Sequence, residues 1–144
     1  MLPSIKNDLM YLLNILECIE KIILYSADCA DAEDFLEKNE QMNFNATLNL
    51  LTNIGENVGK ISKELKQIYS DVDWPLIKSF RNRVVHDYIN IDTFMVFDIV
   101  TNDLKMLRGT IMNIVGIELD KGSFDTEEYE AAKKSFYYRH IKFD

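Results

Sequence analysis

The sequence is short of the residues that interrupt helices. In 144 residues it has two prolines and five glycines. Proline and glycine cost a helix interior about 3 and 1 kcal/mol against alanine. Their scarcity, beside plentiful Leu, Ile, Lys, Glu and Asn, points to a mostly helical chain. Cysteine is scarce too. Cys18 and Cys29 stand eleven positions apart with no histidine near them, a spacing that fits neither a zinc site nor a redox pair. Both are read as free, buried thiols. No apolar run reaches membrane-spanning length, because Asp8, Glu17, Glu20 and Lys21 interrupt the N-terminal one. No small-residue cleavage site follows it, so the expectation is a cytoplasmic protein without membrane contact. Internal repeats and low-complexity tracts are missing. What is present, 47% hydrophobic residues, suits one compact domain with a core that needs no staples.

Positive charge is also in short supply. The net charge is −8, which argues against a protein that coats long nucleic acid. The deficit is uneven. Residues 1–40 hold Lys6, Lys21 and Lys38 against nine acids, whereas residues 74–86 hold Lys78, Arg81 and Arg83 and no acid. One local anion site is compatible with that distribution.

Apolar periodicity predicts the helices. Ile5, Leu9, Leu12, Leu16, Ile19 and Ile23 recur at steps of four and three and mark a long helix over residues 4–25. Residues 31–38 read as a short helix led by acids, with Phe35 and Leu36 inward. A second long helix is predicted over residues 43–68, from Leu48 to Ile68, with Gly55 and Gly59 on one face where another backbone could approach. Asp73 or Trp74 caps a third helix with Pro75 in its first turn, reaching about His86. Asp92 caps a fourth, which the segment from Gly116 to Gly122 ends. Asp125 opens a last amphipathic segment to Phe143, whose aromatic residues are expected to pack. Short connections make neighbouring helices antiparallel. The expected fold is therefore all-α, an up-and-down antiparallel helical bundle over residues 1–119 with a C-terminal helical extension over residues 120–144.

The stretch Ser79-Phe80-Arg81-Asn82-Arg83-Val84-Val85-His86-Asp87-Tyr88 gathers the functional candidates. In an unbroken helix Arg81 and His86 would point about 140° apart. Either the helix ends near His86 or the pair works across a subunit boundary. If the chain extends after His86, then His86 and Tyr88 face one way. Arginine can grip a phosphate with paired hydrogen bonds and stabilise charge in a transition state. Histidine titrates near neutrality and can move a proton at a ribose 2′-hydroxyl. These residue types support RNA phosphodiester cleavage, with no metal needed and none suggested. On the pair alone, solvated surface residues are the commoner explanation. Arg83 faces elsewhere, toward a partner or water. Asp87 need not orient His86. Trp74 reads as a core anchor and His140 as a surface residue.

The run Arg81-Asn82-Arg83-Val84-Val85-His86-Asp87-Tyr88 resembles the RX4HXY signature of HepT-type HEPN proteins, small helical toxins. Asp34-Phe35 resembles the family's acid–Phe pair, Ile54-Gly55-Glu56 its I-G-E step, and Trp74 with Ile77 its W-x-x-I segment. The resemblance covers about residues 1–117. It implies a dimer whose two motifs meet in one cleft, and a metal-independent ribonuclease that serves as the toxin of a type VII toxin–antitoxin system. It makes Arg81 and His86 catalytic, with Asn82 in support and Lys78 and Arg83 as RNA or partner contacts. It also implies a companion minimal nucleotidyltransferase, MntA-like, that transfers AMP from ATP to Tyr88. No cofactor is implied beyond that covalent AMP. An AMP on Tyr88 would set a phosphate beside Arg81 and His86 and block RNA.

Two other readings stay open. One is a non-catalytic module that presents substrate to a nucleotidyltransferase, with Arg81 and Arg83 holding an anionic ligand. The other is an assembly protein in which the motif only joins a dimer. The intact HXY ending favours the ribonuclease.

Overall fold

Helix α1, Asp8–Ser26, follows a 3₁₀ turn at Ile5–Asn7 and is the axis of the molecule. The computed structural model describes residues 5–84 and 90–143. Further helices are α2, Ala32–Glu37; α3, Met42–Lys60; α4, Lys63–Ile68; α5, Trp74–Lys78; α6, Phe80–Val84; and α7, Thr93–Asp98. A π segment at Ile99–Asp103 joins α7 to α8, Leu104–Asp120, and α9, Thr126–Lys133, precedes a 3₁₀ turn at Phe136–Tyr138. Among the described residues there is no β-strand, so the molecule is an all-α helical bundle. No helix among those residues is long and apolar enough to cross a membrane.

The packing is antiparallel, and the side-chain bonds fix the register. Asp8 at the start of α1 accepts hydrogen bonds from the Ser62 N–H (2.9 Å) and hydroxyl (2.5 Å) beyond the end of α3. Asn14 donates to Asn57 (3.0 Å), and Asn43 at the start of α3 donates to the Tyr25 carbonyl at the end of α1 (2.8 Å). On the other flank Glu20 of α1 pairs with Arg108 of α8.

Residues Ile15 to Glu20 of α1 are buried without a gap. A helix enclosed on all sides must satisfy any charge it carries. Glu17 accepts from the His140 N–H (2.9 Å) and lies 2.5 Å from His140 Nδ1 and 3.6 Å from Lys21 Nζ. His140, expected on the surface, is thus a half-buried tether. Phe124, Ala132 and Ile141 join the same apolar cluster as Leu12, Leu16 and Ile111, so residues beyond α8 share the bundle's core.

Helix starts follow the capping acids. Asp31, Asp73, Asp92 and Asp125 each accept a backbone N–H from the first turn of the helix they precede. Two predicted helices are broken where the sequence shows no proline. The 43–68 helix stops at Lys60 because Ser62, held by Asp8, caps α4 by accepting from the Leu65 N–H (3.2 Å). The third helix divides at Ser79. The last segment comprises a short α-helix and a 3₁₀ turn. Helix α8 runs through Gly116 and ends only where Gly122 takes φ +78°. Cys18 is buried, which pushes its thiol up to about 11, while Cys29 is half-exposed rather than buried.

Candidate functional site

The α5–α6 segment lies along α3, and one missing side chain sets how closely. A Cβ on Gly55 would stand 2.6 Å from the Lys78 carbonyl oxygen. Glycine alone allows that approach of backbone to helix. Gly59, four residues on, meets only the Lys78 side chain at ordinary contact distances. Trp74 is buried, its indole N–H donating to the Tyr69 carbonyl (3.1 Å), and Ile77, Phe80 and Val84 are buried in turn. With those four inward, Arg81 and Asn82 are left exposed.

Arg81 overhangs α3. With Leu48, Asn49 and Thr52 it lines a cleft of about 360 Å³. Among the described residues no carboxylate pairs with it. Lys78, three residues earlier, is exposed as well. Burial, and then the positive charge of Lys78, hold the Lys66 amine below its ordinary range. Lys66, Lys78 and Arg81 thus put three cationic side chains along this edge, two of them exposed, and such groups can hold an anion.

Arg83 has a different place. Its guanidinium is 3.3 Å from Asp103 Oδ2 and 5.7 Å from the Phe80 ring centroid, and one of its nitrogens is 3.8 Å from Met95 Sδ. It ties α6 to α7 and the π segment. His86 and Tyr88 lie outside the described residues. The positions that bracket them are fastened together, since the Asp92 N–H donates to the Val84 carbonyl (2.8 Å). Among the described residues no three His, Cys, Asp or Glu side chains converge as a metal site.

Sequence reasoning did not single out Asn49 and Thr52. The signal was a polar stripe, Asn49, Thr52 and Glu56, at steps of three and four along α3. The quoted family residues do structural work. Ile54 is buried beside Gly55. Phe35 packs against the Phe44 and Phe97 rings at centroid distances of 5.9 and 6.2 Å, joining α2 to α3 and α7.

Residues 15–114 match the model of the family described as Ribonuclease HepT-like, which runs from within α1 to within α8. The chain belongs to the HepT-like ribonuclease family. It is 29% identical over 100 residues to the "Probable ribonuclease HepT" of Thermococcus cleftensis, covering 69% of this chain and 87% of that one. It is 28% identical over 116 residues to a "Gamma-glutamylcyclotransferase and putative RNase" of Methanocaldococcus jannaschii, covering 81% of this chain. The aligned part spans 50% of that relative's length. No solved structure matches this HepT-like chain. The matched region contains Arg81 and the whole of α3, so the Arg81 cleft belongs to the HepT-like part of the molecule. The arm beyond Asp120 does not.

Proposed function

We propose that this chain is a metal-independent endoribonuclease, the toxin of a toxin–antitoxin pair. The observation that carries the reading is an exposed Arg81, with no carboxylate paired to it among the described residues, over the α3 cleft within a HepT-like chain. Arg81 donates hydrogen bonds to the scissile phosphate and stabilises the charge that builds on it. His86 takes the proton of the ribose 2′-hydroxyl; the 2′-oxygen bonds to phosphorus, the bond to the 5′-oxygen breaks, and that oxygen leaves with a proton. Asn82 supports the site. Lys78 adds positive charge along the RNA. Arg83 contributes by holding α6 through Asp103.

The active form is a homodimer in which two motifs share one cleft. Support comes from apolar side chains left bare near the motif. Leu76 and Met106 are exposed and line a second cleft of about 310 Å³ next to Phe80 and Asp103. Phe94, two residues past the cap of α7, is exposed too. A second copy would cover such surface.

Neutralisation follows from Tyr88. A companion nucleotidyltransferase catalyses attack of the tyrosine oxygen on the α-phosphorus of ATP; pyrophosphate leaves, the phenolic proton is lost, and AMP remains on the ring. The new anion occupies the Arg81 site and obstructs RNA.

The test is a cleavage assay on purified full-length protein in chelator, with Arg81→Ala and His86→Ala beside it. Cleavage lost in both variants while both stay folded is the expected result. Intact mass after treatment with the nucleotidyltransferase and ATP should rise by whole AMP units, and not in Tyr88→Phe. Wild-type protein that cleaves no RNA, yet binds the nucleotidyltransferase, would replace this reading with a substrate-presenting module.

A further inference from the structure

A second cationic segment lies beyond the matched residues. Residues 133–143 carry Lys133, Lys134, Arg139 and Lys142 and no acid, in a chain of net charge −8. The same segment holds four aromatic rings, Phe136, Tyr137, Tyr138 and Phe143, the first three of which the sequence led us to expect packed. Tyr138 and Phe143 do pack against the core cluster. Phe136 and Tyr137 do not: they are 78% and 66% exposed.

These two rings are not on a loose end. Ala132 before them and Ile141 after them are buried. The Tyr138 hydroxyl donates to Asn14 (2.8 Å), and the His140 N–H donates to Glu17 (2.9 Å). Ser135 accepts from the Tyr137 N–H (3.1 Å) and opens the 3₁₀ turn. In such a turn residues three apart eclipse, and the Arg139 guanidinium sits 4.8 Å from the Phe136 ring centroid. The Tyr137 ring meets the Tyr138 ring edge-on at a centroid distance of 4.9 Å. The fold thus holds two largely exposed rings and a guanidinium at fixed places, with Lys134 and Lys142 exposed on either side in sequence.

Single-stranded nucleic acid uses all of these groups at once. Its bases stack on rings, and its phosphates take the cations. An apolar protein surface would use the rings and strand the charges; an acidic one would use the charges and leave the rings wet. We infer that the tip of the C-terminal arm is a second contact for single-stranded RNA, where Phe136 and Tyr137 stack bases and Lys134, Arg139 and Lys142 hold phosphates. The inference rests on the ribonuclease reading for the identity of its occupant. The acidic remainder of the chain repels RNA, so the two cationic segments would set where a strand can lie.

The experiment is fluorescence anisotropy of the full chain with a labelled 20-nucleotide oligouridine, alongside cleavage of a dinucleotide and the mass of the protein in solution. Phe136→Ala with Tyr137→Ala should raise Kd about tenfold or more. Arg139→Gln with Lys142→Gln should lower the slope of log affinity against log salt by about 1.4. Dinucleotide cleavage should not change in either. All four side chains are exposed or half-exposed, so the variants should melt with the wild type; if the aromatic pair melts early, the cationic pair carries the test alone. Affinity and slope that match the wild type overturn the inference. So does a loss of self-association with RNA affinity unchanged, which would give the surface to a second copy of the chain. Weakened binding in a chain that never cleaves RNA keeps the arm contact and removes the ribonuclease. Arg81-dependent cleavage with unaltered arm affinities does the reverse.

Discussion

Helix α1 and the α5–α6 edge both carry charged side chains, and they use them in opposite ways. In α1 the acids Glu17 and Glu20 are buried, and each is met by His140, Lys21 or Arg108. Along α5–α6, Lys78 and Arg81 are exposed, and among the described residues Arg83 is the cation there that is paired with a carboxylate. Charge that is buried and paired keeps a shape, because removing one partner strands the other. Charge that is exposed and unpaired contributes little to folding and is left over for a ligand. Type of residue does not separate the two regions; burial and partners do.

The sharpest way to break this contrast is Arg81→Ala. RNA cleavage should fall about 10²- to 10³-fold, the range for removing one donor to a developing charge, with no change in Tm. A matched fall in Tm would make Arg81 structural and merge the two regions. Next comes Gly55→Ala, whose new methyl meets the Lys78 carbonyl. Overpacking of that kind costs about 1–3 kcal/mol, read as a lower urea midpoint together with weaker cleavage. Gly59→Ala, with room for its methyl, should instead gain up to about 1 kcal/mol. Glu17→Ala removes the acceptor for the His140 N–H and should cost about 1–2 kcal/mol while dinucleotide cleavage stays at the wild-type rate.

The smallest effect is in pH. Tyr69 donates to Glu118 Oε2 at 2.6 Å, joining the end of α4 to α8. Burial alone would raise the Glu118 pKa, but hydrogen bonds from Tyr69 and Lys121 outweigh it and hold the carboxyl below its ordinary 4.5. Burial first, and then Glu118, push the Tyr69 hydroxyl well above its ordinary 10.0. The carboxylate's contribution is therefore present above about pH 4.5 and fades as pH falls through the lowered folded value. The phenol's contribution is present below about pH 10 and fades as pH rises through the raised one. Tyr69→Phe should flatten both flanks of a plot of urea midpoint against pH.

The long helices could be read in advance because their apolar period is local, and so could the starts of shorter ones that an aspartate caps. Asp92 caps α7 as expected, and the choice between Asp73 and Trp74 resolves to Asp73. Gly55 could be read as a point of close approach, since four-residue spacing from Gly59 fixes a shared face. The break at Ser62 could not, because the serine is held by Asp8, 54 positions away. Likewise Glu17 and Glu20 look like interruptions of an apolar run until Arg108 and His140 supply their partners. At the site, Arg81 and Asn82 are exposed on α6, and Asn49 and Thr52 enter only through the packing of α5–α6 on α3. The exposure of Phe136 and Tyr137 ran against the expectation, because sequence reveals an aromatic residue but not how much of it is covered.

The bond between His140 and Glu17 joins positions 123 apart in the chain. At about 5–20 residues per second, a ribosome needs roughly 6–25 s to pass from one to the other. Through that interval Glu17 has Lys21 of its own helix beside it but not yet the His140 N–H and ring. Completion of the core is thus timed by synthesis: whatever the earlier helices assemble on their own, the first one is sealed only when the last turns of the chain arrive.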